Sequence, residues 1–162
     1  MDLGRLDLDG TSVVLRRAKA ADVPAVVRML AADQLGAARD GPDEAEGWAP
    51  YERAFAALDA DPAHVLVVAT LGDDVVATMQ LSVLPGLARR GATRMQVEAV
   101  RVRDDLRGRG LGRALLQWAV EQARARGCAL VQLTSDKTRT DAHRFYGRLG
   151  FVASHEGYKL SL

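Results

Sequence analysis

The chain has 162 residues, 48% of them apolar and 27% charged, the balance of one soluble globular domain with one core. A formal net charge of +1 excludes a global field calling for nucleic acid or an anionic membrane, and no apolar run approaches the roughly 18 residues of a membrane span. Met1 to Gly10 carries Asp2, Asp7 and Asp9 with no apolar stretch, and Cys128 is the one cysteine, so the reading is no secretory signal and a reducing, cytoplasmic compartment.

Thr11 to Arg17 reads as the first strand. Ala21 to Leu35 has Val23, Val26, Val27 and Leu30 at helical spacing, with Asp22 and Pro24 as start signals. The polar stretch Arg39 to Gly47 reads as a mobile loop, and Tyr51 to Leu58 as a second helix ended near Asp61-Pro62. Val65 to Leu71 is almost continuously apolar, as a strand covered on both faces should be. Gly72-Asp73-Asp74 turns it back into Val75 to Leu84 as a hairpin. A polar loop, Pro85 to Ala92, leads to the strand Arg94 to Val102. Leu111 to Arg126 has the apolar stripe of a long helix, ended by Gly127. Ala129 to Leu133 reads as a strand, Thr140 to Leu149 as a helix stopped by Gly150, and Phe151 to Leu162 as one or two closing strands. The order β-α-α-β-β-β-α-β-α-β-β predicts a mixed α/β layer fold.

One strand is irregular. Met95, Val97 and Ala99 are apolar at odd positions, then Val100 and Val102 at even ones. A β-bulge of one extra residue produces that switch; burial on both faces is the other explanation. Beyond it stands the main basic cluster, Arg101, Arg103, Arg107, Arg109 and Arg113, against Asp104 and Asp105. Within it, Arg107-Gly108-Arg109-Gly110-Leu111-Gly112-Arg113 lies between a strand and the longest helix. The free N–H groups of a helix start, closely approachable glycines and flanking guanidinium groups together predict an anion site, for a pyrophosphate above all. No Lys-Ser or Lys-Thr follows as in a Walker loop, and the G-x-G-x-G spacing differs from a dinucleotide fingerprint.

Arg107-x-x-Gly110-x-Gly112, after Val100-x-Val102 and before an amphipathic helix, resembles the acetyl-CoA signature of the GNAT N-acetyltransferase superfamily. The stretch Leu133-Thr134-Ser135-Asp136, followed by Thr140 to Tyr146 and Gly150-Phe151, is similar to the second half of that signature. The resemblance follows the element order from Thr11 to Leu162 and is strongest over residues 95–153, so it implies one GNAT domain over 1–162. It implies a bulged strand splayed from its parallel neighbour at the cofactor site. Val100, Arg101 and Val102 would then pair with pantetheine through their backbones. Arg107, Gly108, Arg109, Gly110, Leu111, Gly112 and Arg113 would hold the pyrophosphate, with Ser135 in the same cofactor-binding set.

Amide formation from a thioester needs a neutral amine and a proton for the departing thiolate. Glu98, an acid interrupting an apolar strand beside the proposed bulge, is the candidate base, with a solvent-facing carboxylate as its plainer reading. Tyr146 matches the family's tyrosine in Phe-Tyr-x-x-x-Gly-Phe and is the candidate acid. His143 reads as a structural or substrate-contact residue, and Cys128 as a small core residue. His64, His143 and His155 show no metal-ligand spacing, so no metal is expected. Trp48 and Tyr51 line the acceptor pocket or simply pack.

The reading is an acetyl-CoA-dependent N-acetyltransferase in whose ternary complex a small primary amine, the partner, attacks the thioester directly. The end of the chain looks like the branch that includes aminoalkylphosphonate acetyltransferases, which implies an acceptor with an anionic group. Arg89, Arg90 or Arg94 would supply the counter-charge, or are solvated loop arginines. A protein-lysine or peptide acetyltransferase, drawn by the acidic Asp40 to Glu46 segment, and a non-catalytic acyl-CoA-binding regulator are the alternatives. A homodimer with exchanged closing strands is left open.

Overall fold

Leu6 and Leu8 alternate with charged residues and run into Asp9-Gly10, a pair suited to a tight hairpin. The computed structural model, which describes all residues except 1, 9, 34, 35, 38 and 43–45, builds that hairpin from β1 (Asp2–Leu8) and β2 (Thr11–Arg17), closed by the pair Leu8–Thr11. The sequence shows a strand pattern only from Thr11, because Gly4 and Arg5 interrupt the alternation of β1. The chain divides into two bodies, residues 1–132 and 133–162.

In the first body, β2 leads through a short 3-10 turn at Ala20–Asp22 into α1 (Val23–Ala31), and α2 (Ala49–Ala60) follows. Pro50 in the first turn of α2 starts that helix two residues before the expected Tyr51. The last expected residue of the first helix, Leu35, lies outside the described residues, as does 43–45 of the expected loop and acidic segment. β3 (His64–Leu71), β4 (Asp74–Leu84), the single turn α3 (Ala88–Gly91), left-handed at Arg89 and Arg90, β5 (Arg94–Val102), α4 (Leu111–Ala125) and β6 (Leu130–Leu133) complete the series. The strands form one sheet in the order β1-β2-β3-β4-β5-β6, antiparallel except for the β5–β6 pair.

The sheet is covered on both faces because β3 and β4 are apolar at both parities, with Val67, Val68, Ala69, Val76, Ala77 and Met79 fully buried. α1 and α2 close one face, where Ala18, Val26 and Val68 pack with Leu30, Phe55, Leu66 and Val75. α4 closes the other through Leu111, Leu115, Leu116, Ala119 and Ala123. Gly4 lies beneath α4 with room to spare, since a Cβ there would make only ordinary contact with Trp118 Nε1 at 3.8 Å, and it is the backbone, at φ 136°, that suits glycine.

The second body holds α5 (Thr140–Arg148). The closing strands expected in Phe151 to Leu162 do not form: these residues make no helix or strand, and Val152, Tyr158, Leu160 and Leu162 are exposed. Their alternation gives a strand pattern, but a strand also needs a ladder partner, and His155 to Leu162 makes no backbone hydrogen bond among the described residues.

The entry to α1 is fixed by one carboxylate. Asp22, 8% exposed, accepts from Arg16 Nη1 at 2.6 Å, Arg16 Nη2 at 2.9 Å and the Lys19 N–H at 2.7 Å. The hydrogen bonds from Arg16, followed in weight by that from Lys19, hold its carboxyl below the usual carboxylate range despite burial. Asp22→Ala should lower stability at neutral pH by about 2–3 kcal/mol in urea denaturation. Because the folded-state pKa is depressed, the contribution is complete above the unfolded carboxylate pKa and is lost as pH falls through the folded one. The wild-type and variant curves should therefore converge in acid.

Candidate active site

β5 carries one residue more than its neighbour. Glu98 pairs with Gln80 and Arg101 with Thr78, so Met79 alone faces both Ala99 and Val100. Ala99 takes the left-handed conformation, φ 52°, that lets the extra residue leave the ladder. Val97, opposite Leu81, and Val102, opposite Ala77, consequently share the α4 face although five residues apart. Glu98 and Arg101 face α1 and α2. The parity switch is a bulge.

The other edge of β5 is paired only up to this point. The Ala129 N–H donates to the Thr93 carbonyl at 2.8 Å, and Gln132 Nε2 donates to Gln96 Oε1 at 2.7 Å, the same offset of 36 residues. β6 ends at Leu133, which that offset sets level with Val97. The edge from Ala99 to Val102 therefore has no strand partner among the described residues. Two of its carbonyls accept from arginine side chains instead, Val100 from Arg101 Nη1 at 2.9 Å and Val102 from Arg107 Nε at 3.2 Å.

The chain then reaches the start of α4. Gly110, φ 85°, is its N-cap, and Gly108 has φ 75°. Both conformations suit glycine, and neither residue has a side chain to cover the free N–H groups at the helix start. Ion pairs sort the arginine cluster. Arg101 meets Asp33 at 3.5 Å, Arg103 meets Asp105 at 2.7 Å and Asp74 at 3.6 Å, and Arg107 meets Asp104 at 2.7 Å. The hydrogen bond between Arg103 and Asp105 raises the guanidinium pKa and lowers the carboxyl pKa. Exposed Arg109 and Arg113 make no ion pair among the described residues, so the positive charge at the helix start is theirs.

Glu98 is exposed and its carboxylate makes no hydrogen bond or ion pair among the described residues. Asp33, 68 positions from Arg101, is brought to the same face by the end of α1, a pairing no local sequence signal announces. Tyr51 fixes the connection before α2, its hydroxyl accepting from the Gly41 N–H at 2.7 Å, and its ring lies 6.1 Å from that of Trp48. An open groove lined by Val23, Glu52, Phe55 and Asp59 lies between α1 and α2 and includes none of the expected site residues.

In the second body, Tyr146 is half-buried, its ring 5.3 Å from Phe145 and edge-on to Phe151 at 6.0 Å. His143 Nε2 donates to the Asp136 carbonyl at 2.9 Å. The Ser135 hydroxyl is buried without a hydrogen-bond partner among the described residues. Among the described residues no group of three acidic, histidine or cysteine side chains is placed to hold a metal.

A bulged strand released from its parallel neighbour and leading into a glycine-capped helix is the arrangement that the resemblance to the GNAT superfamily implies. Residues 27–151 match the Acetyltransferase (GNAT) family, and the chain belongs to it. It is 42% identical over 60 residues to the aminoalkylphosphonate N-acetyltransferase of Salmonella typhimurium, covering 37% of this chain and 39% of that protein. It is 34% identical over 88 residues to the glucosamine 6-phosphate N-acetyltransferase of Trypanosoma brucei brucei, covering 54% and 58%. The matches thus span less than two thirds of these curated relatives. Among solved structures, a protein described as a transcriptional regulator from Bacillus halodurans C-125 is 43% identical with a TM-score of 0.87, over 93% of this chain and 99% of that one. A Trypanosoma brucei acetyltransferase is 25% identical with a TM-score of 0.72, over 93% and 99%.

The bulge carries its own test. Ala99→Gly should hold or raise the melting temperature, whereas Ala99→Val, with a β-branched residue at positive φ, should lower stability by about 1–2 kcal/mol. Equal tolerance of both would remove the left-handed residue from the account.

Proposed function

We propose that this chain is an acetyl-CoA-dependent N-acetyltransferase whose acceptor is a primary amine on a small molecule, and that residues 1–162 work as one functional domain. The observation that carries the proposal is the unpartnered β5 edge, Ala99 to Val102, running into the Gly110-capped start of α4 beside Arg109 and Arg113. An open strand edge fits an arm that bears amides, and a helix start with two uncompensated cations fits a diphosphate.

On this reading the backbone of Val100, Arg101 and Val102 pairs with the pantetheine arm. Arg107 to Arg113 surrounds the pyrophosphate, with Arg107 helping indirectly since its side chain is held by Asp104 and Val102. The orphan hydroxyl of Ser135 is available to the cofactor as well. Acetyl-CoA supplies the activated acetyl thioester. Glu98 accepts the proton released as the acceptor nitrogen bonds to the acyl carbon, directly or through water. Tyr146 donates its phenol proton to the sulfur as the carbon–sulfur bond breaks. Glu98 is preferred to Asp33 as base because Asp33 is occupied by Arg101.

The amine acceptor is supported by the N-acetyltransferase relatives, and nothing in the described residues favours a protein acceptor or a non-catalytic regulator over it.

Acetyl-CoA should raise the melting temperature of the purified chain. Gly110→Val should abolish that shift without unfolding the protein, because a Cβ there meets only Leu8 Cδ2 at 3.8 Å and the strain is local to φ. An undiminished shift in the variant would detach this turn from the cofactor.

For the chemistry, Tyr146→Phe should lower kcat by about 10²-fold with cofactor affinity kept within a few-fold. Glu98→Gln should slow turnover most at low pH, where the free-amine fraction is smallest, and recover as pH rises. The wild-type to Gln ratio of kcat/KM across pH is the measurement. A flat ratio would remove Glu98 as base.

A further inference from the structure

A trans peptide points its carbonyl opposite to its N–H. The Arg103 N–H donates into the sheet, to the Val76 carbonyl at 2.9 Å, so the Val102 carbonyl looks out from the free edge of β5. Strand alternation gives the Val100 carbonyl, two residues earlier, the same outlook. These are the edge acceptors that the reading above offers to pantetheine, and both are taken. Arg101 Nη1 donates to Val100 at 2.9 Å, and Arg107 Nε donates to Val102 at 3.2 Å. A carbonyl has a second lone pair, so it is the bulk of the guanidinium that an arm laid along the edge must displace.

The two caps are held differently. Arg101 is fixed by Asp33, and their side chains are 18% and 16% exposed. Arg107 is tied at its other end to Asp104, at 2.7 Å, and these side chains are 52% and 69% exposed. A pair so exposed holds its members weakly. Arg107 is the removable cap. It also directly precedes Gly108, with Arg109 and Arg113 following at the positive start of α4.

We infer that Arg107 selects the acyl donor: it keeps the Val102 carbonyl closed to a pantetheine thioester without a diphosphate and yields it to one that carries a diphosphate. The inference rests on the cofactor reading above and names the donor class for it. A diphosphate held at the start of α4 is a stronger partner for the neighbouring guanidinium than one neutral carbonyl is. Its arrival draws Arg107 off, and the amide-bearing arm attached to it pairs with the freed carbonyl. An arm with no diphosphate must break the cap with nothing offered in exchange. An uncovered strand edge is also a template for a foreign strand, and the cap denies it that use.

The test compares acetyl-CoA with S-acetylpantetheine, which has the same thioester and amide arm and no phosphate, by calorimetry on the full chain. Arg107→Ala should bind S-acetylpantetheine about 2- to 10-fold more tightly than the wild type, the release of one hydrogen bond. Its affinity for acetyl-CoA should not rise. Arg109→Ala removes a charge and leaves the cap, so it should weaken acetyl-CoA and leave S-acetylpantetheine unchanged. Both variants should melt close to the wild type, because Arg107 and Arg109 are exposed.

S-acetylpantetheine bound no more tightly by Arg107→Ala, measured directly or by displacement of acetyl-CoA, overturns the selection. If the wild type still binds acetyl-CoA, that result leaves the cofactor reading standing. Equal gains in Arg107→Ala and Arg109→Ala also overturn the selection, since they trace to charge and not to the cap. So does a wild type that binds S-acetylpantetheine as tightly as acetyl-CoA. A wild type that binds neither ligand sinks the cofactor reading and the selection together.

Discussion

One surplus residue organises this molecule. With Ala99 pushed into a left-handed conformation, β5 continues past it with its faces exchanged relative to the count of residues. Val97 and Val102 both stay under α4, so the core does not notice the insertion. The opposite face and the outer edge do. Glu98 and Arg101 come to flank the bulge on the α1 side, and the edge beyond it lies past the end of β6. Without the extra residue, either the valines or the two charged residues would face the wrong layer.

Electrostatics divides the basic segment along the same line. From Arg101 to Arg107 each arginine has a carboxylate: Asp33 for Arg101, Asp105 and Asp74 for Arg103, Asp104 for Arg107. Surface pairs of this kind add little stability, so their effect here is mainly to fix where charge is neutralised. The residues left over, Arg109 and Arg113, stand at the positive end of a fifteen-residue helix. The Asp33–Arg101 pair differs from the rest. Its two side chains are 16% and 18% exposed, and it fastens the end of α1 to the strand just beyond the bulge.

What could be read in advance depended on whether the determining contacts were local. The bulge was legible because burial is recorded residue by residue in a strand, and Met95, Val97, Val100 and Val102 show both parities. The glycine turn was legible because left-handed backbone at Gly108 and Gly110 needs a particular residue type. Pairings across long separations were not: nothing near Arg101 announces Asp33, and nothing near Gln96 announces Gln132. β1 escaped because Gly4 blurs its alternation. The closing strands were expected from a sound pattern at Tyr158, Leu160 and Leu162, but a pattern gives a strand its faces and not its neighbour. The roles of Glu98 and Tyr146 were legible only through resemblance, since an acid in a strand and a tyrosine on a short helix have many uses.

The connection before β5 sets a different kind of balance. Arg89 and Arg90, at φ 53° and 60°, are two consecutive side-chain-bearing residues in backbone that glycine adopts without penalty, and Gly91 follows at 78°. Each such residue costs about 1–3 kcal/mol, a large share of the margin by which a domain this size stays folded. Mutational drift toward greater thermal tolerance would therefore reach this connection early, through glycine or asparagine. Every such step would also strip a positive charge from the rim beside Arg94. In this part of the chain, any gain in backbone stability at Arg89 or Arg90 comes with the loss of one positive charge.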